Sequence, residues 1–322
     1  MDEYEFKNDN TAIRKSHFIR NILFSLLAVL VFSVFVFTII FFAKKYSKSH
    51  ITAKTLARYW ADSDSSKYEK IYKDGKELLQ ADPFNNTALI YYGYACFYLA
   101  VSQTDSSLIQ GYLDEAIISL RQALYSAREK TIPQIHYMLG KAYFYKNKMA
   151  ENFYADLTIE NLNKALQSGY QADDIYEYLG MSYAALGKTT ESIAAFSEAL
   201  LVRESDNLLV SIAEQYMKNG MYNSSKQYLF RVINSCENDL LVEKSRIMLA
   251  NIYLEEENYV DAQKEFEEVL KKNENSDDGH YGIGVIYEKQ GNLVLARSEW
   301  RNALKIRANH QGALKKLSET KK

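Results

Sequence analysis

Proline is almost missing from this chain. Only Pro83 and Pro133 occur among 322 residues, with thirteen glycines. Both residue types weaken helix interiors, so their scarcity favours a mostly helical protein. Cysteine is equally sparse. Cys96 and Cys236 are the only two, they lie in separate helical-looking segments, and they read as small buried thiols, not as a disulfide framework. An excess of one charge is also lacking: 39 Lys and Arg face 41 Asp and Glu, a net −2, with the signs interspersed. A nucleic-acid partner requires a basic face that displaces counterions, so none is expected.

Clusters that carry chemistry are missing too. None of the five histidines (His17, His50, His136, His280 and His310) has metal-ligand spacing to a cysteine or another histidine. There is no nucleophile elbow. Gly187-Lys188-Thr189 looks like the end of a phosphate-binding loop. That loop needs a glycine five residues before Gly187, where Ser182 stands, and a strand before it, where the sequence reads as helix. The run Glu255, Glu256, Glu257 reads as a solvated turn. Catalytic residues, cofactor and metal are therefore all expected to be none, and the chain is not expected to be an enzyme. An enzyme site assembled between distant segments is the competing class.

What is present begins with an uncharged run, Ile22 to Ala43, whose only polar members are Ser25, Ser33 and Thr38. As a helix it is long enough for the roughly 30 Å hydrocarbon core of a bilayer. It is too long for a cleaved signal, and Phe41 and Phe42 crowd its exit. The expectation is one transmembrane helix, 22–43, after a short polar tail, 1–21, and before a juxtamembrane linker, 44–65. Within that linker, 51–61 looks helical, and its alternative place is in a degenerate first unit that ends at Leu78 and the turn Asp82-Pro83. Lys7, Arg14, Lys15 and Arg20 on one side nearly balance Lys44, Lys45, Lys48, Lys54 and Arg58 on the other. A short cationic tail resists export, whereas large domains cross largely regardless of charge. The soluble part is thus expected outside the cytoplasm; a cytoplasm-facing assembly factor would differ only in side.

From residue 66 onward a pattern recurs. Gly180, Tyr183, Gly187, Ser192, Phe196 and Ala199 align with Gly284, Tyr287, Gly291, Ala296, Trp300 and Ala303. Ala213, Tyr216, Gly220, Ser225 and Leu229 fall in register, as do Ala250, Tyr253, Ala262 and Phe266. Gly140 and Tyr143, then Leu162 and Ala165, continue it, and Gly93 with Ala116, Leu120 and Ala123 begins it. Each unit reads as helix, tight turn, helix. The small residue sits where the helices cross, the tyrosine fills the hairpin, and the large residue of the second helix meets the next unit. Such hairpins bury their apolar faces only by stacking.

This pattern resembles the tetratricopeptide repeat, whose 34-residue unit carries an L-G-x2-Y core followed by small, aromatic and small positions. The resemblance covers roughly 66–310 and implies an all-α, right-handed solenoid of six to seven hairpins. Residues 311–322 then form a capping helix and basic tail. Two hairpins depart from the unit length, with about eleven extra residues near 101–111 and about six near 148–157, placed as loops at the solenoid edge.

In that family the first helix of each hairpin lines a groove. Carried onto this sequence, the candidate peptide-binding residues are Tyr91, Tyr94, Tyr98, Tyr137, Lys141, Tyr145, Glu177, Tyr178, Met181, Glu214 and Asn251. Of the lysine and asparagine positions with which some members grip a terminal carboxylate, only Lys141 and Asn251 match. The resemblance implies protein partners, met by groove or edge loops, with the lipid bilayer as a second partner of 22–43. The sequence carries no signal for oligomeric state. A membrane-anchored interaction scaffold is expected. Envelope assembly factors and the periplasmic flagellar collar proteins of spirochaetes share its layout.

Overall fold

The computed structural model describes residues 26–41 except 28, 51–149 except 65, and 153–320. The polar tail 1–21 lies outside the described residues. Of the expected span, 26–27 and 29–41 are described and helical. Its large side chains project into the surroundings, Phe32 at 68% exposure and Phe37 at 70%. Residues 22–25, 28 and 42–43 lie outside the described residues. Among the described residues, no helix is long and apolar enough to cross a membrane.

The rest is helical. The helices are α1 (Ala53–Ala61), α2 (Lys67–Ala81), α3 (Asn86–Ser102), α4 (Ser106–Leu124), α5 (Ile132–Met149) and α6 (Ala155–Gln167). They continue as α7 (Ile175–Ala185), α8 (Thr189–Val202), α9 (Asp206–Lys218), α10 (Tyr222–Ser235) and α11 (Asp239–Glu255). The last are α12 (Tyr259–Lys272), α13 (Asp277–Lys289), α14 (Leu293–Ile306) and α15 (Gln311–Glu319). Antiparallel hairpins form from α3 and α4, α5 and α6, α7 and α8, α9 and α10, α11 and α12, and α13 and α14. Each second helix also packs on the first helix of the next hairpin. First helices approach one another across hairpins, and among the described residues second helices make no comparable approach. The first helices therefore form the inner wall of the stack.

Local chemistry sets these boundaries. Side chains of Asn85, Asp105, Ser205, Asn238 and Ser276 accept hydrogen bonds from backbone N–H groups in the first turns that follow them. Gly187, Gly220 and Gly291 end first helices with φ of 69°, 71° and 80°. This left-handed region suits glycine because no Cβ meets the backbone there.

Inside each hairpin a small residue meets a large one. A Cβ added to Gly284 would stand 2.5 Å from the indole Nε1 of Trp300, and one added to Gly140 would stand 2.5 Å from Leu162. Gly180 faces the Phe196 ring in the same way. Two hairpins add a lock: Ser192 Oγ donates to the Gly180 carbonyl at 2.8 Å, and Ser225 Oγ donates to that of Ala213 at 2.7 Å. Trp300, Phe266 and Phe196 are buried, as is Tyr143, while Tyr183, Tyr216, Tyr253 and Tyr287 are half-buried and pack against the hairpin cores.

Two sequence expectations change. The extra residues near 101–111 do not make an edge loop. They lengthen α3 to 17 residues and α4 to 19, leaving 103–105 as the connection. Asp105 is the reason, since its carboxylate accepts from the N–H groups of Ser107 and Leu108 and starts α4 at once. In the second long hairpin, α5 runs on to Met149, and 150–152 lie outside the described residues. Residues 53–61, expected to be helical, form α1, which packs on α2 and on α3 and buries Leu56 there.

Candidate functional site

The inner wall carries an aromatic strip that crosses three hairpins. On α3, Tyr98 meets Phe97, with ring centroids 5.3 Å apart. Phe97 meets Tyr145 of α5 at 5.6 Å, and Tyr145 meets Tyr178 of α7 at 6.3 Å. Phe144 packs edge-on against Tyr178 at 4.7 Å. Aromatic pairs at such distances add to the area they bury. Tyr98, Tyr145 and Tyr178 keep part of each ring exposed.

A polar knot lies beneath the strip. Tyr137 Oη donates to Asp174 Oδ1 at 2.6 Å, and Lys141 Nζ donates to Asp174 Oδ2 at 2.8 Å and to Tyr137 Oη at 3.1 Å. The Lys141 ammonium also sits 5.1 Å from the Tyr178 ring centroid and 5.8 Å from that of Phe97. Burial, then the hydrogen bond to Asp174, pushes the Tyr137 hydroxyl above its ordinary pKa. Burial, then the bond to Tyr145, does the same for Tyr178.

At the start of the wall Trp60 of α1 inserts among tyrosines. Its ring centroid lies 5.4 Å from Tyr94, 5.8 Å from Tyr98 and 6.0 Å from Tyr91. Tyr68 stacks on Tyr98 at 4.7 Å. Tyr94 is only 3% exposed, and its hydroxyl has no hydrogen-bond partner among the described residues.

The structure thus sorts the expected groove residues. Tyr91, Tyr94 and Tyr98 gather around Trp60; Tyr137 and Lys141 bind Asp174, and Tyr145 packs on Tyr178, whose ring lies beside the Lys141 ammonium. Of these, Tyr94 and Tyr137 are buried, and Lys141 is committed to Asp174. Lys141 and Asn251 are not brought together as a carboxylate clamp would require: one lies in α5, the other is exposed on α11. Glu177 pairs with Arg203, and Glu214 pairs with Lys218 and Lys244. Met181 packs beside Phe196 and Ile212.

Sequence reasoning missed Trp60 and Asp174. Trp60 stands outside the repeat pattern. Asp174 precedes a first helix, where acidic residues ordinarily cap. The signal in reach was Tyr137 and Lys141, one helical turn apart on a buried face and in need of an acceptor.

Asp277, Asp278 and His310 come close enough to hold a cation. These groups already have partners of their own. Arg307 pairs with both carboxylates, and His310 Nδ1 accepts from the Ala313 N–H as the cap of α15. That leaves Nε2–H to donate to Asp278 at 3.1 Å. His136 and His280 serve packing in the same manner, bound to Asn161 at 2.9 Å and to Glu299 at 2.6 Å.

Residues 174–206 and 247–312 each match a family model described as tetratricopeptide repeat. Those stretches are tetratricopeptide repeats. The described residues from 53 onward form an all-helical stack of this type. No curated protein sequence matches the chain. Among solved structures, the C-terminal part of a tetratricopeptide repeat-containing protein from Cytophaga hutchinsonii is 12% identical. The match covers 83% of this chain and 99% of that one, with a TM-score of 0.58. The apo form of the quorum sensor NprR from B. thuringiensis is 17% identical over 82% and 78%, with a TM-score of 0.57. Pseudomonas aeruginosa pilF is 15% identical over 71% and 97%, with a TM-score of 0.50. Identities this low speak to the repeat fold alone.

Proposed function

We propose that the chain is a membrane-anchored scaffold that recruits protein partners through the inner wall of its repeat stack. The observation that carries this reading is the aromatic strip of Tyr98, Tyr145 and Tyr178, partly exposed on three successive first helices. Aromatic rings give large contact area at low entropic cost, and they are enriched where binding energy concentrates. A stack of hairpins supplies the extended surface on which repeat proteins bind.

Anchoring rests on the uncharged run 22–43 and on the outward-facing apolar side chains of its described part, from Leu26 to Phe41. A single pass there holds the stack at one bilayer surface and raises its effective concentration towards partners on that surface. The cationic tail favours the stack outside the cytoplasm.

Two measurements test the reading. A photo-crosslinking residue at Tyr145 in the full chain should trap a discrete protein, and Tyr98→Ala with Tyr178→Ala should abolish the adduct while helicity is kept. An undiminished adduct in that variant moves the binding face elsewhere. Reporters fused after Lys322, one active only outside the cytoplasm and one fluorescent only inside, decide the orientation.

A further inference from the structure

The wall has a feature at its amino-terminal end that the aromatic strip does not use. A cleft of about 450 Å³ opens between α1, α3 and the segment joining α4 to α5. Trp60 and Tyr91 make its aromatic side. Thr87, Tyr91 and Tyr94 lie four and three residues apart, which aligns them on one stripe of α3 facing the cleft. Arg128 and Lys130 make the opposite side, both exposed, and neither has an acidic partner among the described residues. No aspartate or glutamate lines the cleft. Ion pairs run through the stack from Lys70 with Asp64 to Lys316 with Glu288, whereas these two cations share one cavity that no acidic side chain lines.

Tyr94 supplies the second observation. It lines the same cleft, it is 3% exposed, and its hydroxyl lacks an acceptor. Burial already drives this phenol towards its protonated form. A buried hydroxyl without a partner is destabilising, and an acceptor brought by a ligand removes that penalty.

We infer that this cleft binds an acidic peptide segment, one that places a carboxylate between Arg128, Lys130 and the Tyr94 hydroxyl and an apolar side chain against Trp60 and Tyr91. The occupant follows from charge complementarity. Guanidinium and ammonium without counter-charges select an anion, and the adjoining rings select an apolar neighbour. The cleft lies within the size range of ligand sites. This inference rests on the proposed scaffold role and names the class of segment that the first hairpins would accept.

The test selects a displayed random-peptide library on the full chain in detergent micelles and then resynthesises the enriched peptides. Sequences joining Asp or Glu to an apolar residue should dominate. Arg128→Glu with Lys130→Glu should weaken them at least roughly tenfold, the scale of one lost charge-assisted hydrogen bond. Tyr94→Phe should weaken them roughly fivefold, within the range of one neutral hydrogen bond, without lowering the melting temperature, because the hydroxyl has no partner to lose in the free chain. Enrichment without acidic bias, no enrichment, or equal binding to the charge-reversed variant overturns the inference. None of these touches the broader reading, which Tyr98→Ala with Tyr178→Ala decides separately. Binding of phosphatidylglycerol vesicles that the charge reversal abolishes, with peptide binding unchanged, also overturns it and gives the two cations to lipid headgroups.

Discussion

The first three hairpins and the last three are built differently from one repeat plan. Between Leu89 and Ala195 a single continuous core joins α3 to α8, with Tyr92, Tyr94, Tyr137 and Tyr143 buried in it. From Phe196 onward the core divides into small clusters, one around Phe196, one around Leu229, one around Phe266 and one around Trp300. All the hairpins keep the small-against-large contacts of the repeat; of the family matches, 247–312 lies in the last three hairpins and 174–206 is the third of the first three. The amino-terminal hairpins lengthen their helices, fill the inner wall with rings and tie it with Asp174. A regular repeat gains stability from each interface in turn. A continuous core couples neighbouring units, and that coupling gives the aromatic wall a rigid base.

Core truncation should separate the halves most sharply. Phe97 and Phe266 are 2% and 1% exposed, and replacing either by alanine should remove about 3–5 kcal/mol locally. Hydrogen exchange on the full chain should show loss of protection from α3 through α7 for Phe97→Ala, and loss confined to α11–α13 for Phe266→Ala. Equal spread in both variants would break the comparison.

Alkaline pH gives the next largest effect. Burial raises the hydroxyl pKa of Tyr92, Tyr94, Tyr98, Tyr137, Tyr143, Tyr170 and Tyr178 in the first half, and of Tyr216, Tyr253 and Tyr281 in the second. An unfolded tyrosine ionises near pH 10. A phenol whose folded pKa lies higher contributes stability that is complete below about pH 10 and is lost as pH climbs towards the folded value. The first half should therefore open first above about pH 10. Tyrosinate absorbance should rise together with proteolytic cleavage between α3 and α7. Simultaneous opening of both halves counts against distinct cores.

Ionic ties should rank in the same order, with smaller values. Lys141 is 13% exposed at its side chain and depends on Asp174, so Asp174→Asn should lower stability by about 1–2 kcal/mol. Glu214 pairs with Lys218 and Lys244 at half-exposed positions, and Glu214→Gln should change stability by no more than about 0.5 kcal/mol. Urea midpoints of the two variants make the comparison.

The same contrast explains how much was legible in the sequence. Gly284 with Trp300, and Gly180 with Phe196, announced themselves because contacts repeated at near-constant spacing leave a periodic trace. Trp60 left none: it precedes the stretch in which the period can be read, and only the packing of α1 onto α3 makes it part of the wall. Asp174 is read locally as a cap, and its hold on Tyr137 and Lys141 exists only once two hairpins stack. Tyr94 was legible as an inner-wall residue, but its burial was not, since that depends on Trp60 covering it. Groove membership follows from register; exposure follows from what packs on the groove.

The mildest test lies at one turn of the regular half. Glu257 holds the position that Gly187, Gly220 and Gly291 hold in the neighbouring hairpins, seven residues after the small residue of the first helix. Its φ of 57° lies in the left-handed region, where a Cβ crowds the backbone. The hairpin imposes this geometry whatever residue occupies the turn, because the Asn258 N–H must reach the Tyr253 carbonyl, at 2.8 Å, to end α11. Glycine at this site relieves the strain and returns part of the gain through its freer unfolded chain. Glu257→Gly should therefore stabilise the protein by about 0.5–1 kcal/mol, read as a higher urea midpoint. Because the carboxyl-terminal clusters are separate, the added protection from hydrogen exchange should stay within α11 and α12. Protection that reaches α3 would mean that the regular half is as tightly coupled as the aromatic one.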